Sequence, residues 1–250
     1  MPLTDEQIER YQRNIILKEI GAAGQEKLRS SKVLIVGVGG LGSPAALYLA
    51  AAGVGTIGLV DGDAVELSNL QRQVIHDTAD VGRRKVESAQ ARMHALNPDV
   101  TVRTYDTWAQ ADSLGSIVRE YDFVIDAVDN FATKFLINDV CCADRVPFCH
   151  AGILEFEGQL MTVLPGRTAC YRCVFAAPPA DPHGPIGVLG VLPGVIGALQ
   201  ATEAIKHLLA LGDLLTDTLL SYHALTMQFR RLRVTCNPKC PACGCSHRPV

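Results

Sequence analysis

Two cysteine pairs and one glycine-rich segment are the parts of this sequence whose residue types and spacing could do chemistry. Cys170 and Cys173 form one C-x-x-C pair, and Cys240 and Cys243 form a second. Thiolates at that spacing can occupy neighbouring corners of a tetrahedron at about 2.3 Å from zinc, and two such pairs close the shell and leave no position for substrate. The expected metal is therefore a structural Zn²⁺. Either pair alone reads as a redox couple, whereas the two together favour zinc. Cys236, Cys245 and His247 lie near enough in sequence to be alternative ligands for the second pair. Cys141, Cys142 and Cys149 stand in an apolar stretch and read as small buried side chains.

The glycine-rich segment follows the apolar run VLIVG at 33–37. It reads G-x-G-x-x-G through Gly37, Gly39 and Gly42, with Gly40 as an extra glycine and Pro44 suited to the first turn of a helix. Backbone amides at such a helix start can face phosphate oxygens because no Cβ stands in the way. Asp61 closes the next strand, where a βαβ unit places an acid on a ribose hydroxyl; a strand-end turn residue is the plainer reading. This much alone would suggest NAD. Residues 68–72 (SNLQR), Lys85, and Asp129-Asn130 at the end of an apolar strand point instead to a triphosphate, which needs several cations and a carboxylate for Mg²⁺. Each also has a plainer role: Arg72 and Lys85 as solvated charges, Asp129-Asn130 as a helix cap.

These residues need a scaffold, and the pattern supplies one. Apolar β-branched runs alternate with longer helical segments, the mark of an α/β fold with a Rossmann-like, mainly parallel sheet. Strands are expected at 33–37, 56–60, 100–104 and 122–127, with an antiparallel extension at 158–164 and a last strand near 217–222. Helices are expected at 5–20, 44–52, 83–96, 109–120, 131–143 and 195–211. No repeat or long linker divides the chain. The expectation is one domain over 1–250, with a nucleotide-binding core at about 30–150 and a zinc- and partner-binding portion at about 151–250.

The 250 residues are 48% hydrophobic and 20% charged, which suits a globular core. With 23 basic against 26 acidic residues the net charge is -3, so nothing favours nucleic-acid or anionic-membrane binding. The apolar runs at 44–60 and 186–199 fall short of the roughly 18 residues of a membrane span. Glycines split the first, and glycines with Pro193 are expected to interrupt any continuous helix in the second, so buried core or a subunit interface is the better reading of both. The charged N-terminus lacks an apolar leader, which reads as cytoplasmic.

Taken in order, RYQRNIIL at 10–17, VLIVGVGGLG at 33–42, LVDGDAVELSNLQRQ at 59–73, G-x-x-K at 82–85, DAVDN at 126–130, CYRC at 170–173 and CPAC at 240–243 resemble the MoeB/ThiF/HesA family. These are bacterial relatives of the ubiquitin-activating enzymes, and the resemblance covers nearly the whole chain. It implies ATP-dependent adenylation of the C-terminal glycine of a small ubiquitin-like sulfur carrier, MoaD- or ThiS-type, ending in Gly-Gly. By motif, Gly37, Gly39, Gly40 and Gly42 would lie along ATP, Asp61 would bind the ribose, and Asn69, Gln71, Arg72 and Lys85 would hold the phosphates. Asp63, Ser68 and Leu70 fall in the same nucleotide-binding segments. Asp129 would bind Mg²⁺ with Asn130 beside it, and Arg13 would reach the site of the partner in a homodimer. An exposed charge on the first helix is the plainer reading of Arg13.

Two departures from the family pattern stand out. Many relatives carry a cysteine in the loop after the first C-x-x-C, where PPADPHGPIG at 178–187 has none and His183 falls near that place. Adenylation without a covalent thioester on the enzyme is therefore expected. The chain also ends soon after Cys243, so sulfur is expected from a separate sulfurtransferase. Adenylation of a short peptide or other carboxylate, and a non-catalytic nucleotide-binding dimer, are the competing readings. A nicotinamide oxidoreductase is disfavoured, since nothing resembles a hydride-transfer site.

Overall fold

The computed structural model describes residues 2–177 and 187–244. His183, Cys245 and His247 lie outside that set. In chain order the first elements are α1 (Asp5–Arg10), α2 (Gln12–Ile15), α3 (Gly21–Ser30), β1 (Lys32–Val36), α4 (Gly42–Ala51) and β2 (Thr56–Val60). Then come α5 (Lys85–Leu96), β3 (Thr101–Tyr105), α6 (Ala111–Val118), β4 (Phe123–Asp126), α7 (Phe131–Asp144) and β5 (Phe148–Leu154). The last are β6 (Glu157–Val163), α8 (Tyr171–Val174), α9 (Leu192–Leu209), β7 (Thr218–His223) and β8 (Gln228–Arg233).

All eight strands form one sheet in the order β3-β2-β1-β4-β5-β6-β7-β8. The first five pair in parallel, and from β5 onward each strand pairs antiparallel with the next. The expected parallel sheet with an antiparallel extension is therefore present. Both faces of its centre are covered: Val33 and Ile35 of β1 pack into one apolar cluster with α3, α4, α5 and α9, while Leu34 and Val36 enter a second with α6 and α7. Period-two side chains buried on both sides explain why these parallel strands read as unbroken apolar runs.

Several expectations need correction. The helix expected over 5–20 is broken into α1 and α2 and followed by a turn. The chain opens at Tyr11, which is buried, lies against Gly53, and accepts a 2.8 Å hydrogen bond from Asn97 Nδ2. Helix α3 was hidden by its own glycines at 21 and 24. Strand β5 was not expected although Pro147 separates it from α7, because Cys149, His150, Ala151 and Gly152 give it neither a β-branched run nor a polar alternation, and β8 because all six of its residues are exposed. Most other boundaries move by only one to three residues.

The interruption expected from Pro193 and the glycines of the second apolar run is corrected in part: α9 starts at Leu192, three residues before the helix expected at 195–211, and is continuous over 18 residues, with Pro193 accommodated in its first turn and Gly194 and Gly197 inside it. Proline is tolerated there because the first-turn N–H groups have no helical partner. Gly197 is needed because a Cβ would stand 2.3 Å from the Leu41 carbonyl oxygen. This helix therefore seats its N-terminal turns directly on the glycine loop. Among the described residues no helix is long and apolar enough to cross a membrane.

Helix propensity alone predicts that Gly197→Ala should stabilise by about 1 kcal/mol. The contact with Leu41 reverses the sign, and a loss of about 1–3 kcal/mol is expected from overpacking. Urea unfolding of the two proteins measures it.

Candidate active site and metal centre

The cleft lies at the carboxyl ends of the parallel strands, where open α/β sheets hold their ligands. Its floor is the loop after β1. Gly37 has φ +95°, and a Cβ there would stand 2.7 Å from the Ala127 carbonyl oxygen; at Gly42 a Cβ would stand 2.0 Å from the Gly37 oxygen. Gly37, Gly39 and Gly40 line the cleft, whereas Gly42 lies beneath it at the start of α4. Asp61, just past β2, ties the loop down: Oδ2 accepts the Val38 N–H at 2.7 Å and Oδ1 accepts the Asp63 N–H at 2.9 Å.

Of the other expected nucleotide-site residues, Asp61, Asp63, Arg72, Lys85, Asp129 and Asn130 line the same cleft. Lys85 is buried at the start of α5 and donates to Asp63 Oδ2 at 2.9 Å. Arg72 donates to the Ser68 carbonyl at 3.2 Å, and its stem passes over Gly40. Asn130 caps α7 by accepting the Thr133 N–H at 2.9 Å, so the cap reading holds for it, and exposed Asp129 precedes it.

Residues 68–71 are not on the cleft wall. Ser68 donates to Glu66; buried Asn69 accepts the Glu66 N–H at 3.1 Å; Leu70 is half-buried; Gln71 abuts Gly190. Their local role is to shape a turn that delivers Arg72 and Gln73. Arg13 is exposed and also off the cleft wall, beside a shallow depression formed with Tyr48 and Thr202.

Several cleft residues escaped the sequence reading. Gln73 is 4% exposed with its Oε1 unpaired among the described residues, and it immediately follows the SNLQR segment. Trp108 lies over Gly62, where a Cβ would meet its ring at 2.8 Å. It is the chain's one tryptophan, a signal that was available. Lys134, His150 and Tyr171 close the far side of the cleft, and no spacing pattern marked them.

Separately, the Sγ atoms of Cys170, Cys173, Cys240 and Cys243 lie within 4.8 Å of one another, and among the described residues this is the group able to hold a metal. Three separations are 3.9, 3.6 and 3.5 Å. A tetrahedron with bonds of about 2.3 Å has edges of about 3.8 Å, so the cysteines fit zinc. Cys236 is not in the group. Cys141, Cys142 and Cys149 are buried as expected, and burial pushes the thiols of Cys141 and Cys149 up, away from thiolate chemistry.

Residues 11–242 match the ThiF family. The SAMP-activating enzyme E1 of Haloferax volcanii is 48% identical over 95% of this chain and 89% of its own length. The sulfur carrier protein adenylyltransferase of Thermus thermophilus is 46% identical over 98% and 93%. Among solved structures, E. coli MccB with ATP has a TM-score of 0.81 and 27% identity, covering 94% of this chain and 74% of MccB.

The thiol geometry predicts one metal ion per chain. Zinc added to metal-stripped protein should raise Tm, and Cys173→Ser should abolish both the stoichiometric binding and the rise. Calorimetry with metal analysis checks this, and unchanged stability on metal addition would return the redox reading.

Proposed function

Because this chain belongs to the ThiF family, we propose that it adenylates the C-terminal glycine of a small ubiquitin-like sulfur carrier at the expense of ATP. The observation that carries this reading is the convergence on one glycine-loop cleft of Arg72, Lys85 and Asp129, in a chain nearly half identical to two relatives named for activating such carriers. A terminal carboxylate of the carrier attacks the α-phosphorus, a new P–O bond forms, and the bond to pyrophosphate breaks. The nucleophile is already an anion, so no base has to take a proton. The work left to the protein is positioning and charge neutralisation.

The roles follow from placement. Gly37, Gly39 and Gly40 leave room for phosphate against the backbone, and Asp61 stands at the end of β2 for the ribose. Arg72 and Lys85 supply positive charge to the phosphates. Asp129, exposed at the mouth of the cleft, would hold the Mg²⁺ that accompanies ATP, whose charge offsets that of the leaving pyrophosphate. The four cysteines would hold a structural Zn²⁺ apart from this chemistry.

The reading includes a homodimer. Arg13 lies outside its own cleft, and of the exposed apolar side chains near it Ile16 and Leu17 follow α2 directly while Tyr48 stands on α4. A partner covering that patch would bury apolar surface and bring Arg13 to the neighbouring site.

Carrier-dependent exchange of labelled pyrophosphate into ATP tests the function, with Arg72→Ala and Asp129→Ala each expected to remove most of it. Exchange that ignores the carrier would sink the reading. For the dimer, Arg13→Ala and Asp129→Ala are inactive apart but complement when co-expressed. Random pairing puts one intact site in about half of the dimers, so activity should return to roughly a quarter of the parent. An inactive mixture with confirmed mixed dimers would place Arg13 outside the partner's site.

A further inference from the structure

We propose that His150 positions the acyl substrate, its Nε2 accepting the amide N–H of the carrier's terminal glycine so that the carboxylate is held toward the phosphates. This deepens the adenylation reading above and rests on it.

His150 stands on β5 and is 1% exposed. Its Nδ1 lies 2.7 Å from Asp126 Oδ2, in a carboxylate that is equally buried. Asp126 also accepts the Val128 N–H at 3.3 Å and faces Lys134 Nζ at 3.4 Å, while Lys134 donates to the Ala151 carbonyl at 2.6 Å. Burial works against the charged carboxylate, but Lys134 and His150 outweigh it and hold Asp126 below the usual carboxylate range. Burial likewise pushes His150 below its ordinary value. The group is thus one anion, one cation and a neutral imidazole. With a carboxylate on Nδ1, that nitrogen carries the hydrogen and Nε2 is a bare lone pair.

That lone pair is fully buried, has no partner among the described residues, and belongs to a side chain lining the cleft. Tyr171 packs against the ring at 4.3 Å between centroids and limits its rotation. A buried acceptor left unpaired is unfavourable, so a site that preserves one is shaped for a donor that arrives with a ligand.

ATP does not bring that donor. Asp61, the ribose position, follows β2, and β5 lies three strands away across β1 and β4, about 14 Å at the usual strand spacing. The ionised phosphates between offer acceptors only. The remaining ligand is the carrier tail, and the donor nearest its carboxylate is the amide of the terminal residue itself. The same lone pair repels carboxylate oxygens, so the tail is steered with its N–H to β5 and its carboxylate toward Arg72 and Lys85. Beyond His150 the cleft continues along Gly152, Gly158, Gln159 and Ser221, a path for extended chain.

The test changes the substrate before the enzyme. A purified MoaD-type carrier ending in Gly-Gly is compared with a semisynthetic form whose last residue is glycolate, an ester that replaces the N–H by oxygen without added bulk. For the parent enzyme the ester should raise the carrier KM in pyrophosphate exchange about tenfold or more, with the KM for ATP unchanged. His150→Phe should use the two carriers alike. Because that substitution sits in the core, the parent labelled with ¹⁵N-histidine gives a second readout: the Nε2 resonance of His150 should move with the natural carrier and not with the ester. Equal KM for the two carriers, or an Nε2 resonance that responds equally to both, overturns this inference and leaves adenylation standing. Failure of the parent to support exchange with any natural carrier overturns both.

Discussion

Main chain pressed directly on main chain around the glycine loop is the constraint on which the cleft depends. Gly37 sits against the Ala127 carbonyl, Gly42 against the Gly37 carbonyl, and Gly197 against the Leu41 carbonyl. Three separate parts of the chain, the exit of β4, the start of α4 and the first half of α9, therefore meet where no side chain fits. The Asp61 carboxylate completes the clamp from β2 by holding the Val38 N–H. A loop fixed from all sides keeps its amides oriented before any ligand arrives, and such preorganisation is what makes backbone dipoles effective toward phosphate.

The charges are placed by the same packing. Lys85 is buried and held by Asp63, and Lys134 is buried and shared between Asp126 and a carbonyl. Each cation keeps a nearby acid, so neither is left unpaired in the interior before substrate binds. Asp126 further depends on α9, since Gln200 donates to its backbone carbonyl at 2.8 Å and also to that of Cys149, next to His150 on β5, at 3.1 Å. One helix thus supports both the glycine loop and the strand edge that carries the histidine.

The thiol cluster stands apart from the cleft yet reaches it through one residue. Tyr171 follows Cys170; its N–H is accepted by Asn138 of α7 at 2.9 Å, and its ring packs on His150. Arg172 adds a two-pronged contact to Asp139 and lies over Phe135. A metal at the cysteines would hold α8 in place and, through it, the wall of the cleft formed by Tyr171 and His150. Burial pushes the thiols of Cys141 and Cys149 up, away from thiolate chemistry.

What could be read without coordinates was whatever depends on residues close in sequence. The turn from strand to glycine loop to helix, the alternation that makes a parallel sheet, the cap at Asn130 and the two C-x-x-C pairs all follow from local sterics and short spacings. Arg72 was picked out from the SNLQR segment and does line the cleft, but Asn69 and Gln71, expected on the phosphates with it, do not. The break at Tyr11 was not legible, because its cause is Asn97, far along the chain. The start of α9, three residues before the expected 195 and through Pro193 and Gly194, was not legible, and neither was the need for Gly197: glycine disfavours helix locally, and only the packing on Leu41 shows why one is required there. Strand β5 and its buried His150 gave no periodic signal. Their significance arises when Asp126, Lys134 and Tyr171 converge from three other elements, and burial of a lone pair is a property of that assembly that no single segment encodes.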